Sequence, residues 1–317
     1  MTITVVVPTY HRPKDLIRCL DALKTQTRPP DEVLVVVRDT DFETETLLKT
    51  FIPDSLPLRS VTVSIPGQVA ALNAWLAAAQ VDIIAITDDD AIPYADWLER
   101  IETHFLSDDR VGGVGGRDWV YHGQQLEDGK QEVVGRVQWF GRVTGNHHLG
   151  VGAPREVDVL KGVNMSYRRS AIEGQRFDER LRGIGAQVNN DMAFSLALRG
   201  TGWKLIYDPK VAVAHYPAQR FDEDQRRSFN EIALTNAVHN ETLILLEHLP
   251  RANRAVFLLW AILVGTRESL GLVQCLRFLP GEGLLAGQKL LVSWRGRWQG
   301  WRTWQQGDRP KDMQHLR

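Results

Sequence analysis

Three consecutive carboxylates, Asp88, Asp89 and Asp90, directly follow the apolar run Ile83-Ile84-Ala85-Ile86. Like charges crowded in this way raise one another's pKa unless a cation sits among them. A hard divalent ion takes oxygen ligands and commonly bridges protein carboxylates to substrate phosphates. The triplet therefore reads as a metal–diphosphate site. It reads equally as an acidic N-cap for a helix begun by Pro93-Tyr94-Ala95-Asp96-Trp97-Leu98, because Asp favours caps and Pro the first turn. The triplet alone does not choose between the two. The pair His147-His148 invites a zinc reading, but no cysteine or acidic partner is suitably spaced, so both histidines are expected in a loop.

The elements around the triplet are those of an α/β sheet. The Ile83 run, apolar and rich in β-branched residues, predicts a buried parallel strand. In open sheets of this kind, ligands bind outside the carboxyl ends of the strands. Upstream, strands are expected at Thr2 to Pro8, Glu32 to Val37 and Ser60 to Ser64, with helices at Lys14 to Lys24, Thr44 to Phe51 and Gln68 to Ala79. Alternating strands and helices predict a mainly parallel sheet with right-handed crossovers. Beyond Ser107 the pattern changes. A glycine-rich strand or bend covers Val111 to Arg117, and a polar loop-and-strand stretch runs from Gly135 to Gly152. Strands follow at Val157 to Arg168, Trp203 to Tyr207 and Val211 to Ala214, with a helix at Asn190 to Arg199. From about Gln225 onward the pattern is helical.

The whole composition is that of an ordinary globular protein. The chain has 317 residues, 43% of them apolar and 24% charged, enough for a sizeable core without disulfide staples. Cys19 and Cys275 fall in apolar helical patterns far apart, which suggests buried thiols in a reducing compartment. No basic leader or cleavage site is visible at the amino terminus, so the expected location is cytoplasmic. The net charge of -1 gives no hint of nucleic-acid binding.

Several pieces in fixed order carry a family resemblance. They are VVVPTYHRPKDLIRCLDAL, DEVLVVVRD, PGQVAALNAWLAAA, IIAITDDDA, KGVNMSYRR and NNDMAFSLALRGTGWKLIYDPKVAVAHY, spread from about Thr2 to Tyr216. Together they resemble an inverting glycosyltransferase of family 2 with the GT-A fold, of the bacterial polysaccharide type. The resemblance implies a Rossmann-like, mainly parallel sheet flanked by helices, with a C-terminal helical extension. It also implies a catalytic nucleotide-sugar domain at 1–220 and a helical, basic, Trp-rich region at 221–317.

The resemblance also assigns roles. Pro8, Thr9, Tyr10 and Arg12 would line the nucleotide pocket, and Asp39 would face the base or ribose. The usual acidic pair reads Arg38-Asp39 here, and the glycine-serine turn that often follows is absent. Gln68 and Asn73 would approach the base, the alternative for Asn73 being an exposed polar face. The triplet matches the family's metal-binding acidic motif. Asp88 and Asp90 would face sugar and metal, since alternate residues of an extended segment share a side, while Asp89 would point elsewhere or approach the ribose. His215 would complete the shell of Mn2+ or Mg2+; otherwise it is structural. Gly162, Asn164 and Met165 would floor the sugar. Inverting transfer needs one carboxylate to take the acceptor's proton, and the matching residue is Asp191, whose place at a helix N-terminus stabilises negative charge. Its alternative is an N-cap. This company tips the triplet toward the metal reading.

The resulting expectation is a metal-dependent transfer from a nucleoside-diphosphate sugar to a saccharide or lipid-linked acceptor. A sugar-nucleotide nucleotidyltransferase and a non-catalytic sugar-binding protein are the alternatives. A nucleotidyltransferase calls for a glycine-rich basic loop where this chain has PTYHRPKDL. At the carboxyl end, Trp294, Trp298 and Trp301 at helical spacing, interleaved with arginines, suggest peripheral contact with the inner face of a membrane. A helical cap or a dimer contact is the competing expectation.

Overall fold

The computed structural model describes residues 1–51, 56–78, 81–218 and 228–307. The helix end expected at Ala79, the helical onset near Gln225 and the domain boundary after residue 220 lie outside the described residues.

The front of the chain runs β1 (Ile3–Thr9), α1 (Pro13–Lys24), β2 (Glu32–Arg38), α2 (Phe42–Thr50), β3 (Leu58–Val63), α3 (Gln68–Ala78), β4 (Ile83–Thr87), β5 (Ala91–Pro93) and α4 (Trp97–Ser107). It continues with β6 (Val111–His122), β7 (Gln125–Leu126), β8 (Arg136–Val137), β9 (Val143–Thr144), β10 (Arg155–Val157), β11 (Asn164–Arg168), α5 (Asn190–Gly200) and β12 (Lys204–His215). Four helices follow: α6 (Glu231–His248), α7 (Arg251–Leu263), α8 (Leu272–Glu282) and α9 (Leu284–Gln306).

The main sheet has the order β10-β12-β6-β11-β4-β1-β2-β3. Strands β3, β2, β1 and β4 pair in parallel, β11 runs antiparallel between β4 and β6, and β12 is parallel to β6. Of these, β1, β2 and β4 are buried along their length and read as near-continuous Val/Ile runs, whereas β3 at the edge is largely exposed. Leu16, Cys19, Leu20 and Leu23 of α1, with Trp97, Leu98, Ile101 and Phe105 of α4, pack into the core cluster that holds these strands. Both cysteines are free and buried.

Three local expectations give way to the structure. Pro93 ends β5 instead of opening a helix, and α4 starts at Trp97 after Asp96, so the Asp triplet caps no helix. The stretch from Val157 to Arg168 is two strands, because the chain turns at Lys161, whose carbonyl accepts from the Asn164 N–H. Conversely, Lys204–His215 is one strand, interrupted by an irregularity between Asp208 and Val213. Gly116 of β6 faces that irregularity. A Cβ there would lie 1.7 Å from the Val211 carbonyl oxygen, so only glycine lets the two strands approach.

The chain divides into two compact units. The first comprises Met1–Arg136, Thr144–Phe177 and Phe194–Gln219; the second comprises Val137–Val143, Asp178–Ala193 and Arg220–Arg317. In the second unit α9 packs along α6. Gly296 and Gly300 make this possible: a Cβ on either would lie within 3 Å of α6 atoms, including the Thr235 and His239 carbonyl oxygens. Trp301 and Trp304 pack against a cluster of Leu245, Leu246, Leu249, Phe257 and Ala261. Among the tryptophans of α9, Trp298 is exposed and Trp294, Trp301 and Trp304 are partly buried.

Candidate functional site at the strand ends

The carboxyl ends of β1, β4 and β12, together with the middle of β6, bring a chain of alternating charges together in the first unit. Asp88–Asp90 do not continue β4 as an extended segment. They form a turn in which the Ala91 N–H donates to the Asp88 carbonyl. Strict alternation of side chains therefore fails here. Asp89 and Asp90 are both buried and share one cation: Arg12 Nη1 lies 2.9 Å from Asp89 Oδ1 and 3.6 Å from Asp90 Oδ2. Arg12 reaches them from the residue just before α1, whose first helical residue is Pro13.

Beyond Asp90 the alternation continues. His215, the last residue of β12, places Nε2 3.5 Å from Asp90 Oδ1 and Nδ1 3.6 Å from Asp118 Oδ2. Asp118, buried on β6, also pairs with the Lys161 ammonium. The order is Arg12, Asp89 and Asp90, His215, Asp118, Lys161. Asp90 is further fixed by the 216–218 segment: its Oδ2 accepts the Ala218 N–H at 2.8 Å and its backbone carbonyl accepts the Tyr216 N–H.

This order sets the protonation states. Burial pushes the Asp89 carboxyl up to about 7, beyond what Arg12 offsets, with Asp90 adding repulsion. Burial alone would also raise Asp118, but Lys161 and His215 outweigh it and hold Asp118 at about 2. Burial would lower His215, yet its two carboxylate neighbours raise it to about 9 against the opposing Lys161 charge. Asp90 is held below the ordinary range: burial works against this, and His215, the Ala218 N–H and Arg12 overcome it.

Several buried oxygens here have no hydrogen-bond partner: Asp89 Oδ2, Asp90 Oδ1 and Asp118 Oδ1. Buried polar atoms are rarely left so, and a cluster of them at a sheet edge fits a ligand or ion. Oxygens from adjacent carboxylates plus an imidazole suit a divalent cation. Among the described residues no group of three or more His, Cys, Asp or Glu side chains is placed to hold an ion, so Asp88, Asp90 and His215 do not form a ready-made metal site. A cation there would need oxygens from another molecule and side-chain movement, and the His215 ring, which pairs with Asp90 and Asp118, would have to give up its proton.

The other expected residues divide into those at the strand ends and those inside. Pro8 and Thr9 belong to β1, and Tyr10 follows it beneath the Arg38 guanidinium, 5.5 Å from its ring centre. Gln68 opens α3 and is half-buried. Asp39 is exposed, its N–H donating to the Val63 carbonyl. The buried carboxylate at this strand end is instead Asp41, which caps α2 through the Thr44 N–H and accepts the His11 N–H at 2.6 Å. Sequence reasoning passed over it, although an aspartate three residues before Thr44 at a helix start is an N-cap signal.

Asn73 is neither on an exposed face nor spare. Its amide is buried and exchanges two hydrogen bonds with the Phe177 backbone, at 3.1 and 2.9 Å. Asn164 is likewise committed: it accepts from Trp97 Nε1 at 2.9 Å and donates to the Val211 carbonyl at 2.8 Å. Its amide therefore holds β11 and the β12 irregularity together, so a sugar floor at this point would have to use backbone. Gly162 lies in the turn between Lys161 and Asn164, and Met165 is buried in β11. His147 is buried against the Val159 carbonyl at 2.8 Å, and His148 faces Glu127 at 3.2 Å, so neither gathers a zinc shell. Asp118 and Lys161 were not legible as site residues; the only signals were a charged pair inside a glycine-rich strand and a lysine before Gly162.

Asp191 belongs to the second unit, in the first turn of α5. Its Oδ1 accepts the Met192 N–H at 2.8 Å. The loop before it is strained: Gln187 and Asn189 have φ of 40° and 72°, unusual for residues other than glycine. Asn240 of α6 holds this loop in place. Its Oδ1 accepts the Arg182 N–H at 2.8 Å, and its Nδ2 donates to the Arg182 and Val188 carbonyls at 3.0 Å. His239 Nδ1 lies 2.9 Å from the same Oδ1, and its Nε2 2.9 Å from Thr303 Oγ1 on α9. Because Asn240 Oδ1 only accepts, the network assigns the proton to Nδ1. Burial pushes His239 down to about 4, so it is neutral at physiological pH.

The family model for Glycosyl transferase family 2 matches residues 4–174, more than half of the chain. Glycosyltransferase AglE of Haloferax volcanii is 30% identical over 234 residues, covering 72% of this chain and 70% of that protein. A glycosyltransferase of Nostoc is 26% identical over 44% of this chain and 42% of its own length. Among solved structures, GalNAc-T7 with UDP, GalNAc and Mn2+ superposes with a TM-score of 0.60 at 14% identity, over 76% of this chain and 47% of that one. The mannosyltransferase PcManGT of Pyrobaculum calidifontis, in complex with GDP-Man and Mn2+, gives 0.55 at 18% identity over 96% and 83%. TarS of S. aureus with UDP-GlcNAc gives 0.56 at 15% identity over 98% and 93%. At these identities the structural likeness speaks for a shared GT-A fold. The matched family model and the AglE relationship go further: the chain belongs to glycosyltransferase family 2 and is a transferase.

Proposed function

We propose that this enzyme transfers a sugar from a nucleoside-diphosphate sugar to a hydroxyl of a saccharide or lipid-linked acceptor, with inversion, and with residues 1–220 as the catalytic domain. The observation that carries the reading is the cluster of buried carboxylates at the carboxyl edge of the sheet, in alternating charge from Arg12 to Lys161, with oxygens that accept no hydrogen bond. The nucleotide would lie over Pro8, Thr9 and Tyr10, with Arg38 and Gln68 beside it. Asp39 would contribute to the ribose, and Asp89 would hold Arg12. Asn73 and Asn164 would act through the backbone they fix, and Gly162 would lie beneath the sugar.

Asp88, Asp90 and His215 would hold a divalent ion, for which the Mn2+ in two structural neighbours offers support. When bound, such an ion offsets the charge that builds on the leaving diphosphate. Arg12 supplies a second, fixed positive charge of the same kind. Asp191 would accept the proton of the attacking hydroxyl. Asn240 is a positioning residue here, since it fixes both ends of the strained loop that precedes Asp191. Family membership favours glycosyl over nucleotidyl transfer.

Thermal-shift measurements with UDP, GDP and their sugars, with and without Mn2+, test the donor half of this reading, because a ligand that binds the native state raises its stability. A shift that needs both nucleotide and metal is expected. No shift with any nucleoside diphosphate, metal present, would refute it.

A further inference from the structure

Helix α8 carries its apolar side outward. Leu272, Val273, Leu276 and Leu279 are all exposed, Leu276 to 69%, and they occupy positions i, i+1, i+4 and i+7 on one helical face. Cys275, on the flank of that face, is buried with Leu270 and Ala286. A second stripe closes α7, where Leu259, Ile262 and Leu263 are exposed at i, i+3 and i+4. The two stripes are joined by a tight turn in which Gly265 pairs with Leu270. Leu284, 89% exposed, opens α9 just beyond. Single exposed leucines are ordinary on protein surfaces; eight exposed aliphatic side chains between Leu259 and Leu284 mark an interaction surface.

Charge says what covers it. Residues 251–307 hold eight Lys or Arg against two Glu, in a chain whose net charge is -1. Two of these cations stand at the stripe itself: Arg267 and Arg277 are exposed, and both approach the Phe278 ring of α8, at 5.9 and 5.6 Å. Long cationic side chains beside an apolar face place their stems along it and their heads at its rim. No helix among the described residues is long and apolar enough to cross a membrane.

We propose that the outer face of α7 and α8 docks on an anionic lipid bilayer, with the leucines entering the interface and Arg267 and Arg277 at the headgroups. The surface differs from the tryptophan stripe of α9, in which Trp301 and Trp304 pack inside the helical unit. It rests on the proposed lipid-linked acceptor for its purpose, while the binding stands on the helical unit alone.

Co-sedimentation of the full chain with vesicles of phosphatidylcholine, or of phosphatidylcholine and phosphatidylglycerol in equal parts, tests it. Binding to the mixed vesicles only, weakened by added salt, is expected. The double variant Leu272→Ser/Leu276→Ser should bind roughly tenfold more weakly or less still, with an unchanged melting curve because both sites are exposed. Arg267→Gln/Arg277→Gln should lose the salt-sensitive part. Wild-type protein that ignores mixed vesicles, or a serine variant that binds like wild type, overturns the proposal. So does a wild-type dimer that the serine variant converts to monomer without lipid, which would make a second copy the occupant. Nucleotide and Mn2+ thermal shifts on the same preparations keep the two readings apart: vesicle binding without donor binding would sink only the catalytic one.

Discussion

The two units differ in what their buried charged side chains meet. In the first, Asp89, Asp90 and Asp118 are buried at the strand ends, and each has an oxygen without a hydrogen-bond partner. In the second, the buried polar side chains of α6 and α9 are met at several points. Arg297 pairs with Glu241 at 2.6 Å and donates to Thr242 and Ser269 at 3.0 Å, while Asn240 and His239 complete their own network. An unsatisfied buried group costs free energy that evolution rarely leaves standing. The strand-end cluster therefore looks outward to a ligand. Asn240, His239 and Arg297 of the second unit find their partners within it, and what Asn240 positions is the loop before Asp191.

That contrast can be broken at several points. The largest effect is expected at Asp191. Asp191→Asn should lower the rate of transfer about 10²–10⁴-fold, the range for a general base, while the nucleotide-dependent thermal shift stays at its wild-type size. Unchanged turnover would remove Asp191 from the chemistry.

Within the helical network, Glu241→Ala leaves the buried Arg297 charge without its carboxylate. A loss of about 3 kcal/mol in denaturant unfolding is expected, and a near-neutral result would show that water reaches the pair. Asn240→Ala strips partners from the Arg182 and Val188 backbone at once, so about 2 kcal/mol is expected. More telling, kcat should fall further than KM changes, with donor binding retained. A variant that loses stability alone would leave Asn240 as packing and no more.

The smallest effect is a pH dependence. His239 has a folded pKa of about 4 against an ordinary value near 6.5. Its neutral form stabilises the fold above the ordinary value, and that contribution is lost as pH falls toward 4, because the unfolded chain takes up the proton first. On the order of 2 kcal/mol should disappear between about pH 7 and about pH 5. His239→Gln should flatten the slope, as followed by chemical denaturation at each pH.

Much of the first unit was legible because β1, β2 and β4 are buried along their length. The runs at Val5, Val33 and Ile83 announce themselves, and so does the triplet after β4. What was not legible depends on distance in sequence. Nothing local says that Arg12 reaches Asp89, that His215 stands between Asp90 and Asp118, or that Asn164 spends its amide on Trp97 and Val211. The side chains of the triplet misled in direction, since alternation assumes an extended segment and the chain turns there. In the helical unit, the tryptophans of α9 suggested an outer face by their spacing. The glycines Gly296 and Gly300, read without partners, gave no sign that α9 lies against α6. Asn240 was invisible for a related reason: a polar residue in mid-helix declares its role only when the loop it holds is known.

The central claim is that the buried acidic turn at the sheet edge binds a nucleoside diphosphate together with a divalent ion. Calorimetric titration of UDP and GDP into the full chain, in Mn2+ and again in chelator, tests it most directly, with Asp90→Asn as the paired variant. Saturable binding of one nucleotide that requires Mn2+ and is lost in Asp90→Asn is the predicted result. Binding that is the same in chelator, or unchanged in Asp90→Asn, would contradict it.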